Sequence, residues 1–184
     1  MKKILNQVIS IPLLGLSLLG LSACTIIDEP VDVVKPFALN QYLGTWYEIA
    51  RLDHSFERNM SNVTAQYSID GDKVVVINKG FKQDKQQWDK AEGKAYFIDG
   101  DNQGLLKVSF FGPFYGAYQI HDIVQNDQGR YTDSLVIGPN NDYAWILSRT
   151  PTLAPEIKQR FITKLKALSI SEDKLIWVNQ GDRQ

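Results

Sequence analysis

The sequence predicts an all-β fold: an eight-stranded antiparallel up-and-down β-barrel with one α-helix packed outside it near the C-terminus. Three observations predict it. Short runs rich in branched and aromatic residues recur with a two-residue period. Turn residues punctuate them, among them Asp70-Gly71, Asp99-Gly100, Gly112-Pro113 and Gly138-Pro139. One segment alone, after Pro155, carries a helical apolar stripe. Strands joined by short loops pair antiparallel. About eight of them suit a closed barrel whose interior just holds a small ligand. A two-sheet sandwich is the competing architecture; the barrel is preferred because a sandwich leaves edges to protect.

The 184 residues fit a single domain with a real core. The 20 Lys and Arg nearly balance the 21 Asp and Glu, with no long single-sign run, so no electrostatic footprint for nucleic acid exists. Lys2 and Lys3 precede a mostly apolar stretch from Ile4 to Leu21, the form of an export signal. Its interruptions by Asn6, Gln7, Pro12 and Gly15 weaken a transmembrane reading. The run Leu21-Ser22-Ala23-Cys24, which holds the only cysteine, resembles the lipobox of bacterial lipoproteins. The resemblance implies cleavage after residue 23, a diacylglyceryl group on Cys24 and an acyl chain on its new amino group. Each buried methylene contributes about 0.8 kcal/mol, so several chains hold firmly. Thr25, where lipoproteins retained in the inner membrane typically carry Asp, implies sorting to the outer membrane. Residues 24–36, with Pro30 and Pro36, read as a lipidated tether reaching at most roughly 40 Å. Residues 37–184 form the barrel domain.

The domain opens on Gly44-Thr45-Trp46-Tyr47-Glu48-Ile49-Ala50-Arg51, a glycine turn feeding a strand. Alternation puts Trp46, Glu48 and Ala50 on one face and Tyr47, Ile49 and Arg51 on the other. Val63, Ala65, Tyr67 and Ile69 then alternate with polar residues, and Asp70-Gly71 turns into a β-branched run from Val74 to Asn78. Strands follow over 88–97, at Leu106, Val108 and Phe110, and from Gly116 through Tyr118 and Ile120. Leu135 to Ile137 and Tyr143 to Arg149 complete the series. Pro155 suits a first helical position, and Ile157, Phe161, Leu165 and Leu168 share one helix face. That stripe is expected to pack on the barrel rather than on a membrane. Leu175 to Val178 reads as a short final strand.

Three stretches resemble the lipocalins, and among them the bacterial outer-membrane lipoprotein lipocalins, relatives of apolipoprotein D and the plant temperature-induced lipocalins. They are Tyr42-Leu43-Gly44-Thr45-Trp46-Tyr47-Glu48-Ile49-Ala50-Arg51, the run from Leu106 to Gly116, and Asp142-Tyr143-Ala144-Trp145-Ile146-Leu147-Ser148-Arg149. Gly44 and Trp46 match the first family signature. Arg149 matches the third, whose Arg packs over the Trp at the closed end. The second signature is matched only by fragments around Thr132 and Asp142, onto which no role is carried. The resemblance implies a carrier of fatty acids or lysophospholipids, without catalysis or cofactor, linked to membrane maintenance under stress. It places the protein on the outer membrane, facing the periplasm; a homodimer is compatible with it.

The chemistry expected is burial of an acyl chain in an apolar cavity, with a few polar groups at its mouth. Trp145, Tyr115, Phe110, Tyr67 and Glu48 are the candidate lining residues, with core packing as the alternative for each. Trp46 and Arg149 are assigned to structure. Two other classes stay open: a barrel enzyme acting on a lipid with Glu48 as base, and a structural envelope lipoprotein whose barrel is filled by side chains. Cys24 is taken by lipid, and His54 and His121, expected in loops or on the surface, lack metal-ligand spacing.

Overall fold

The computed structural model describes residues 26–181. The export signal and Cys24 lie outside the described residues. A one-turn helix α1 (Leu39–Tyr42) leads into β1 (Gly44–Leu52), β2 (Met60–Asp70), β3 (Lys73–Lys82) and β4 (Gln87–Phe97). Then come β5 (Leu105–Phe111), β6 (Phe114–Gln125), β7 (Tyr131–Ile137) and β8 (Ala144–Ser148). Helix α2 (Pro155–Ala167), a 3-10 turn (Glu172–Lys174) and β9 (Leu175–Trp177) finish the chain. Consecutive strands from β1 to β8 pair antiparallel, and β1 also pairs with β8. The eight strands therefore close on themselves, as the sequence predicts.

β1 shares its length between neighbours. Its first residues, Gly44 to Tyr47, pair with β2, while Ala50 to Leu52 pair with β9. β9 thus takes the edge that β2 leaves free. Gln180 bridges the gap by donating to the carbonyls of Glu48 (2.7 Å) and Val63 (2.8 Å).

The barrel has two unlike ends. α1 and the β2–β3 turn lie at the closed one, with the β4–β5 loop. There Arg149 sits 3.8 Å over the Trp46 ring and donates to the carbonyls of Thr45, Gln41 and Leu43 at 2.7–2.9 Å. The Trp46 indole N–H donates to Tyr42 O at 2.8 Å. Gly44 has φ +94°, a backbone angle that favours glycine, although a Cβ there would meet only ordinary contact with Arg149 Nη1 at 3.5 Å. The open end carries the β1–β2 loop and the tips of the β3–β4, β5–β6 and β7–β8 hairpins.

Strand parity sorts the apolar residues into two clusters. Trp46, Tyr67, Val76, Leu106, Ile120, Val136 and Leu147 face the interior. Leu135, Ile137 and Ile146 face outward, under Phe161, Ile162 and Leu165 of α2. Both faces of β7 and β8 are therefore buried, which is why these strands read as near-continuous apolar runs. Of the expected stripe on α2, Phe161 and Leu165 are buried, while Ile157 and Leu168 are half-buried against the same cluster. Arg160 clamps Asp122 through two 2.7 Å bonds.

Three expectations are corrected. β1 carries a bulge between Glu48 and Ala50 in its pairing with β8. The extra residue reverses parity, so Ala50 joins Ile49 under α2 and Arg51 turns in beside Glu48. The stretch expected as a free tether is docked from residue 28 onward: Asp28 and Glu29 N–H donate to Pro139 O, Val34 to Ile120 O, and Phe37 to Asn102 O. β7 starts at Tyr131, four residues before the apolar run, because its polar Asp133 and Ser134 are buried rather than turned to solvent.

Candidate functional site

Inside the barrel lies an apolar cavity of about 140 Å³. Val63, Ala65, Val74, Val76, Ala95 and Leu106 form its wall, each small enough to leave space. Tyr67, Phe110, Trp145 and Glu48, four of the five expected lining residues, border it. Tyr115 does not. It lies an odd number of residues from inward-facing Tyr118, so parity turns it out of the barrel, against Tyr96 and Lys107.

The deep end of the cavity carries three phenols. Tyr118 hydroxyl lies 2.7 Å from that of Tyr42 and 2.8 Å from that of Tyr67. Burial pushes Tyr42 up to about 12 and the other two well above the ordinary phenol value, so all three are neutral hydrogen-bonding groups.

The mouth is polar. Arg51 donates through Nη1 to Glu48 Oε1 at 2.7 Å and through Nη2 to Glu57 O at 2.6 Å. Trp145 Nε1 donates to Glu57 Oε2 at 3.1 Å. Glu48 also hydrogen-bonds Glu57. Two carboxyls thus meet one guanidinium in a buried place. Burial, together with the Glu57 charge, raises Glu48 well above the usual carboxylate range; burial also raises Glu57. Two carboxyls against one guanidinium in a buried place favour retention of a proton on Glu48, whose shift upward is the stronger.

Sequence reasoning placed His54 in a loop or on the surface. It is in the β1–β2 loop but buried, stacked on Phe56 at 3.9 Å and tilted against Trp145 at 5.3 Å. Burial and nearby Arg51 lower its pKa to about 4, so the imidazole is neutral. His121 is half-buried on β6, its Nδ1 2.7 Å from Asp32 O.

The cavity does not end at the mouth. A second hollow of about 460 Å³ opens above it, lined by Met60, Gly80, Lys82, Phe111 and Phe114. Phe56, Glu57, Val63, Asn78, Val108 and Phe110 line both. Phe56 and Phe110 are therefore among the residues where the inner chamber and the outer groove adjoin. Sequence reasoning missed Phe56, Glu57 and Arg51. Phe56 and Glu57 lie in a loop without periodicity, and Arg51 enters only through the bulge.

A closed eight-stranded antiparallel barrel with a plugged floor, an apolar chamber and an outer helix defines a class. A family model described as a lipocalin-like domain matches residues 37–180, and the chain belongs to the lipocalin family. It is 48% identical over 161 residues to outer membrane lipoprotein Blc of Vibrio cholerae serotype O1, covering 87% of this chain and 92% of that protein. That kinship makes it an outer-membrane lipoprotein. It is 32% identical to apolipoprotein D of Rattus norvegicus, covering 77% and 74% of the two chains. The structure of insecticyanin from the tobacco hornworm Manduca sexta shares the fold, with TM-score 0.65 and 24% identity over 84% of this chain and 86% of that one.

Proposed function

We propose that this protein is a lipid carrier: a lipoprotein anchored through acylated Cys24 to the outer membrane, facing the periplasm, that holds a fatty acid or lysophospholipid in its barrel. The observation that carries the reading is the apolar chamber continuous with the outer groove. A chamber of about 140 Å³ is close to the roughly 150 Å³ of an engineered apolar cavity that takes one benzene. It holds the end of an acyl chain. The rest of the chain and its headgroup occupy the larger groove beyond Phe56 and Phe110. Each methylene moved from water contributes about 0.8 kcal/mol. Lipid held for membrane maintenance under stress is the setting this reading favours.

The test is a soluble Cys24→Ala chain without the export signal, titrated with oleate and with lysophosphatidylcholine. Trp145, in the chamber wall, reports binding through its fluorescence. Saturable one-to-one quenching is the expected result. No response from protein shown to be folded favours a filled structural barrel instead. A lipid-acting enzyme with Glu48 as base predicts turnover of the bound lipid that Glu48→Gln abolishes while binding persists; the carrier reading predicts no turnover by either form.

A further inference from the structure

The start of the described chain and the mouth of the barrel lie at the same end. Asp28 and Glu29 each donate a backbone N–H to Pro139 O at 2.9 Å, and Asn141 N–H donates to Glu29 Oε2 at 2.9 Å. Pro139 and Asn141 belong to the β7–β8 turn, at the open end. From there the chain descends along β6, bonded to it at Val34, to the β4–β5 loop, bonded at Phe37, and so to the closed end and α1. Cys24 precedes Asp28 by four residues, which span at most about 14 Å. An acyl anchor on Cys24, the part of the proposed function on which this inference rests, therefore tethers the open end and not the floor.

The open end also carries the most exposed aromatic surface. Phe111 and Phe114, flanking the β5–β6 tip, are 76% and 79% exposed, and Phe56 is 53% exposed. All three border the outer groove. The tip stands proud of its neighbour: β6 meets β7 only from Gln119 onward, opposite Ile137, while Phe114 pairs with Phe111 beyond that level. Two pairs of rim charges are tied to one another, Lys82 to Asp89 at 2.7 Å and Arg58 to Asp53 at 2.6 Å. Contiguous exposed apolar groups of this kind mark a contact surface.

We propose that the barrel mouth docks on the lipid surface that anchors the chain, with Phe111 and Phe114 inserted among acyl chains and Phe56 at the interface. Aromatic side chains suit that boundary. An acyl chain then passes between leaflet and groove without crossing water.

Hydrogen exchange on the lipidated chain in phosphatidylcholine vesicles, against the unlipidated Cys24→Ser chain in solution, tests this. Protection gained at residues 54–58 and 111–116, with none at 69–72 and 98–102, is expected. In Phe111→Ser/Phe114→Ser the lipidated chain should stay on the vesicles and lose the gain at 111–116, while exchange in β2 and β3 stays slow. Equal exchange with and without vesicles, or protection at the closed end, overturns the proposal. So does a Cys24→Ser dimer that protects 111–116 without vesicles, since a second copy then covers the mouth. Mass spectrometry reads acylation of Cys24 in the same sample, and the oleate titration reads lipid binding, so failure of either is separable from failure of docking.

Discussion

At Glu48 the two-residue alternation of the first strand breaks, and the break sets a guanidinium against two buried carboxyls. Glu48→Gln keeps an acceptor for Arg51 and supplies a donor to Glu57, so it imitates the protonated side chain. A carboxyl whose folded pKa is raised stabilises most below its unfolded pKa, about 4.5, and that contribution is lost as pH rises through the folded value. The expected outcome in urea melts is a stability difference between parent and Glu48→Gln that moves against the parent as pH rises above about 4.5. His54 acts with the opposite sign. Its folded pKa is depressed to about 4, so its contribution is present above the unfolded value of 6.5 and lost as pH falls toward 4. The difference between parent and His54→Gln should therefore shrink over that interval when both are melted at each pH. At the floor, Trp46 is fully buried and capped by Arg149. Trp46→Ala should lower unfolding free energy by about 3–5 kcal/mol. Oleate affinity of the folded fraction should change less, since Trp46 is absent from the chamber wall.

Helix α2 closes the outer cluster, and its two kinds of contact differ in weight. Phe161 is fully buried over Leu135, Ile137 and Ile146. Arg160 is half exposed, and its partner Asp122 also has Lys164 at 3.7 Å. Phe161→Ala should cost about 3–5 kcal/mol in denaturant unfolding. Arg160→Ala should cost no more than about 1 kcal/mol, because solvent screens the exposed half of the pair. Most strands were legible because period two and turn residues are local: Val63 to Ile69 with Asp70-Gly71 gives β2 and its turn directly. β7 was legible only in its apolar half, since nothing local says that Asp133 and Ser134 will be enclosed.

Across the whole molecule, closure decides which residues form a site. Tyr67, Phe110, Trp145 and Glu48 come from β2, β5, β8 and β1 and meet only because the sheet returns on itself. Docking of residues 28–37 along the barrel adds an orientation: it brings Asp28, four residues after Cys24, to the mouth, which the composition of that segment does not disclose. A tether loosened by Glu29→Ala/Gln119→Ala, which removes the acceptor of Asn141 N–H and the side chain that accepts from Val31 N–H and donates to Glu29 O, should leave oleate affinity intact while weakening the vesicle-induced protection at 111–116.

The strand series and the outer helix were legible in the residues alone, and the family motifs implied that Arg149 packs over Trp46. Each is written in local period, in turn chemistry or in a fixed run of residues. Tertiary closure alone turned Arg51 inward and Tyr115 out, buried His54 and set Phe56 and Glu57 where the two hollows adjoin. One bulged residue inverts parity for everything after it, and a loop acquires its surroundings from strands far away in the chain. Neither effect leaves a periodic trace in the residues concerned.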